Sequence, residues 1–68
     1  MDNWSKVFES MDLQYTELLK SLLIREGIEA VSMNKKDSSN IIFGTISLYV
    51  PAEMEQKALA IIQSQSGE

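Results

Sequence analysis

Cysteine and histidine are both missing from this chain. Without cysteine there is no disulfide and no thiolate metal site. Without histidine the commonest metal ligand and the commonest general base are missing too, so neither a metal centre nor a cofactor is expected. Positive charge is scarce: six Lys and Arg stand against ten Asp and Glu, for a net charge of −4. Nucleic-acid binders usually carry a basic stripe, so no nucleic-acid partner is expected. No stretch approaches the roughly 20 apolar residues of a membrane span, so no membrane partner is expected either. The start, Met1-Asp2-Asn3-Trp4, has neither the positive beginning nor the apolar run of a signal peptide, which points to a cytoplasmic location.

The 68 residues make one domain near the lower limit of independent folding, with an ordered core over about residues 4–62 and a polar C-terminal tail. A core of this size seldom contributes more than about 3–5 kcal/mol. With disulfides and the usual metal sites excluded, a second subunit is the remaining support, so a homo-oligomer is expected.

Trp4 to Phe8 reads as a short strand, with Trp4, Lys6 and Phe8 on one side and Ser5 and Val7 on the other. Asp12 is a good helix N-cap, and Tyr15, Leu18, Leu19, Leu22 and Leu23 repeat at helical spacing. Gly27 suits the left-handed position that ends a helix, and Ile28 can pack back on Leu23, so the helix covers about 13–26. On its polar side Leu13 and Ile24 stand out as a contact for another subunit, or as ordinary exposed apolar residues. Ile28 to Met33 reads as a second strand, followed by a polar run from Asn34 to Asn40 with strong turn chemistry. A third strand runs from Ile41 or Ile42 to Val50, with Ile46, Leu48 and Val50 alternating against Thr45, Ser47 and Tyr49. Pro51 stops it and opens a last helix over about 52–64, whose stripe is Met54, Ala58, Ile61 and Ile62.

Two striped helices and three short strands are most simply solved as an α+β two-layer sandwich in β-α-β-β-α order. Both helices cover one face of a three-stranded antiparallel sheet. If the third strand inserts between the first two, the arrangement is the split β-α-β, or ferredoxin-like, one, lacking its last strand. Val7, Ile28, Ala30, Ile46, Leu48 and Val50 are then expected toward the helices. Trp4, Lys6, Phe8, Val31, Met33, Ser47 and Tyr49 are expected on the open face, a set too apolar to sit comfortably in water. Trp4, Phe8, Val31, Met33 and Tyr49 are the candidate oligomer interface. An RNA-binding sheet would also display aromatics, but with basic residues around them, and Lys6 stands almost alone.

The Trp4-x-Lys6-Val7-Phe8 strand, the helix end Glu26-Gly27-Ile28-Glu29-Ala30-Val31, the run Asn34-Lys35-Lys36-Asp37-Ser38-Ser39 and the strand exit Leu48-Tyr49-Val50-Pro51 occur in this order. Together they resemble a group of very small bacterial signal-transducing proteins, in effect a domain of unknown function. The resemblance covers about residues 4–62. It implies a ferredoxin-like fold related to the nitrogen-regulatory PII (GlnB-like) proteins, which are oligomers that pack through their open sheet faces. Those relatives meet partners with a long loop between the second and third strands and bind nucleotide between subunits. The corresponding run here, Asn34 to Asn40, is far shorter, and no nucleotide-binding signature accompanies it.

Asn34, Lys35, Lys36, Asp37, Ser38 and Ser39 form the densest polar cluster. Two cations beside two hydroxyls can hold a phosphate or carboxylate. The same residues also make a solvated turn in which Asp37 and the serines bond local backbone. No catalytic residue is assigned, since Glu53 and Glu55 are two apart and do not face each other on a helix. The expectation is a non-enzymatic signal-transduction or regulatory binding domain. It acts as a homo-oligomer and takes a small anion or a protein partner near the 34–40 loop. The alternative is a structural interaction module that pairs through its open sheet face and has no ligand.

Overall fold

A computed structural model describes residues 3–35 and 45–66. Three strands, β1 (Trp4–Ser10), β2 (Val31–Lys35) and β3 (Thr45–Pro51), form one sheet in the order β1-β3-β2. Both outer strands run antiparallel to β3. Helix α1 (Leu13–Arg25) links β1 to β2, and a single 3-10 turn, Ala52–Met54, leads from β3 into α2 (Glu55–Ser66). The two helices contact each other and the same side of the sheet, giving the expected two-layer α+β arrangement. None of the helices among the described residues is long and apolar enough to cross a membrane.

Helix α1 is fixed at both ends by its own sequence. The Asp12 carboxylate accepts from the Tyr15 N–H at 3.1 Å, and the Thr16 hydroxyl donates to the Asp12 carbonyl at 2.8 Å. At the other end Gly27 takes φ 87°, the left-handed region. The Ile28 N–H donates to the Leu23 carbonyl and the Gly27 N–H to the Ile24 carbonyl, the paired bonds of a Schellman cap. Leu23 and Ile28 are both fully sealed in the core, so the cap also carries a hydrophobic contact. Because its N–H serves the cap, Ile28 does not join the sheet ladder, and β2 begins at Val31.

The core is one cluster of Val7, Leu19, Leu23, Ile28, Ala30, Leu48, Val50, Ala58 and Ile62. Met54 of the 3-10 turn and Ile61 of α2, both in the expected stripe of the last helix, pack against it. Each fully buried Leu, Ile or Val contributes roughly 1.5–3 kcal/mol of transfer free energy before chain entropy is set against it. All six residues expected toward the helices are buried, five of them in this cluster and Ile46 outside it.

The register of β1 corrects one of the expected faces. Lys6 lies opposite Tyr49, but the next pair is Phe8 opposite Leu48, so Val7 is an extra residue on β1. This bulge turns Phe8 to the helix side. Its ring meets Tyr15 of α1 edge-on, with centroids 5.7 Å apart. The physical reason is burial: Val7 and Phe8 are adjacent, and a regular strand would expose one of them. The bulge forgoes one ladder pair and lets both join the core.

Candidate functional site

Directly opposed residues of an antiparallel ladder share a face, so the pairings define the side of the sheet away from the helices. Trp4 stands with Pro51, then Lys6 with Tyr49 and Val31, then Glu9 with Ser47 and Met33, and last Lys35 with Thr45. Of the five expected interface residues, Trp4, Val31, Met33 and Tyr49 lie here. Phe8 does not, and Glu9 takes the place it would have held.

Trp4, Tyr49, Val31 and Met33 cross the sheet as an apolar diagonal from the start of β1 to β2. Met33 is 45 % exposed, and the other three are half-buried. Along the β1 rim the Lys6 ammonium meets the Glu9 carboxylate at 2.8 Å, both side chains well exposed. The hydrogen bond to Glu9 and then its charge hold the Lys6 pKa above the ordinary lysine value. The face thus has an apolar band with a charged border, the usual layout of a protein-binding patch.

Ser47 lies at the centre of this face, between Glu9 and Met33. It is wholly buried, and its hydroxyl has no hydrogen-bond partner among the described residues. Alternation in the sequence places Ser47 on this face. Its burial is a tertiary property, which a strand pattern does not convey.

The polar run divides at the sheet. Asn34 and Lys35, expected in the loop, are strand residues paired with Ile46 and Thr45. The ladder with β3 extends through both residues. Lys36, Asp37, Ser38 and Ser39 lie outside the described residues. A shallow cleft lined by Asn3, Pro51, Ala52 and Glu53 sits where β3 leads into α2. It offers a carboxylate and no cation, so it is not suited to an anion. Leu13 and Ile24 lie on α1, 54 % and 53 % exposed.

Comparison with family models, with curated proteins and with solved structures finds no match.

Proposed function

We propose that this chain is a non-enzymatic interaction domain of the cytoplasm that docks another protein surface on the open face of its sheet. The apolar diagonal of Trp4, Tyr49, Val31 and Met33, which no helix among the described residues covers, carries this reading. Aromatic residues and Met are enriched in such patches: Trp and Tyr contribute large contact area at low conformational cost, and Met adapts its shape to a partner. Two other features favour the face over the sheet edges. The β1 edge is broken by a bulge and bordered by Lys6 and Glu9, and β2 has five residues, ending in Asn34 and Lys35. Bulges, charges and shortness are the devices that discourage strand addition. The resemblance to small signal-transducing proteins supports a regulatory setting for the module.

The test is site-specific photo-cross-linking in cells. A photoreactive amino acid replaces Tyr49 or Met33 on the face, and Gln56 on the exposed side of α2 as the control. Discrete protein adducts are expected at the first two positions and not at the third. Trp4→Glu should abolish the Met33 adduct while leaving the far-ultraviolet circular dichroism unchanged. Equal adduct patterns at all three positions would remove the open face from consideration.

A further inference from the structure

Among the described residues, the large apolar side chains that stand most exposed are not on the sheet. Met11, Leu13, Leu18 and Ile24, all more than half exposed, lie on α1 or just before it. Two of them belong to one stripe. Leu13, Glu17, Lys20 and Ile24 recur at i, i+4, i+7 and i+11, so they line one side of the helix. Thr16 and Leu23 bound this stripe on the core side and are buried, while Gln14 and Ser21 bound it on the solvent side and are exposed.

The stripe is symmetric in its chemistry. About the midpoint between Leu18 and Leu19, Leu13 exchanges with Ile24 and Glu17 with Lys20. The two charges do not satisfy each other within the helix. Among the described residues Glu17 accepts a long hydrogen bond from Ser32, at 3.4 Å, and Lys20 meets no carboxylate.

We propose that a second copy of this chain docks on this stripe, α1 against α1, antiparallel about a two-fold axis. Leu13 then packs on the partner's Ile24, and Glu17 pairs with the partner's Lys20, each contact occurring twice. This is an isologous interface, in which one self-complementary surface serves both copies. A parallel pairing would set Glu17 against Glu17 and Lys20 against Lys20, so charge selects the antiparallel form. One helix face is small for a stable interface, so the dimer is weak and concentration-dependent. It forms on the helix layer and leaves both open sheet faces unobstructed, which makes the assembly bivalent toward the partner proposed above.

Sedimentation equilibrium on the full chain at low salt tests this, at concentrations up to about 1 mM, the range of weak but measurable association. The expected result is a reversible monomer–dimer equilibrium. Glu17→Lys alone and Lys20→Glu alone should each weaken it about tenfold, since two exposed pairs turn repulsive at once. The double variant, with the charges exchanged, should recover dimerisation to within about twofold. Trp4→Glu should leave the equilibrium unchanged, and thermal melts establish that every variant is folded. A wild-type chain that is monomeric at the highest concentration overturns the proposal. So does a double variant no tighter than the single ones, or a dimer lost in Trp4→Glu.

Discussion

Ser47 places a hydroxyl where water does not reach it and no group among the described residues answers it. A buried polar group without a partner costs about 1–3 kcal/mol, whereas an apolar replacement of similar shape costs little. Ser47→Ala is therefore expected to hold or raise stability, by up to about 1 kcal/mol in urea unfolding. A loss of more than that amount would mean that the hydroxyl is bonded in solution. Gly27 is the opposite case, legible from the sequence alone. A glycine directly after a helical stripe predicts a left-handed residue, and φ 87° is what the chain adopts. The difference lies in what each residue depends on. The cap is decided by neighbours a few positions away, while the burial of Ser47 is decided by the tertiary structure around it.

For the secondary elements, the helices and the order of strands follow from periodicity and caps, and β1 shows where that reasoning stops. Alternation assigns Trp4, Lys6 and Phe8 to one side. It holds for the first two and fails at the third, because the bulge at Val7 inserts one residue. No turn residue or glycine marks the place. The only local signal is two adjacent apolar residues, Val7 and Phe8, and whether both are buried depends on Tyr15 and the core beyond. The register has a measurable consequence. Phe8→Ala should destabilise by about 2 kcal/mol or more, as truncation of a core-packed ring does. Glu9→Ala, on the exposed rim, should cost less than about 1 kcal/mol. Comparable effects in chemical denaturation would indicate a regular strand. The polar run after β2 is a second such limit, since propensity favours a turn at Asn34 while the ladder with β3 holds it in the sheet.

At the scale of the molecule, the described residues form a slab about 16 Å across its shortest axis, one sheet under one layer of helices. Such a body has a single interior, and Leu48 of the central strand lies fully sealed within it. Removing most of a buried leucine costs about 2–5 kcal/mol. That is comparable to the whole stability a core of this size supplies, about 3–5 kcal/mol. Leu48→Ala is therefore expected to leave much of the chain unfolded at 25 °C, and circular dichroism with a denaturant titration checks it. A cooperative transition displaced by less than 1 kcal/mol would mean that support from outside the single core, such as self-association, dominates.

The position of Trp4 has a spectroscopic consequence. It is the chain's one tryptophan, and it stands half-buried on the side of the sheet that faces away from the hydrophobic interior. In many small domains the indole lies in the core, and its emission follows global unfolding. Here the same fluorophore looks outward from the apolar diagonal. Its wavelength and quenching by acrylamide therefore read the occupancy of that surface, and the protein carries a built-in optical sensor for whatever settles there.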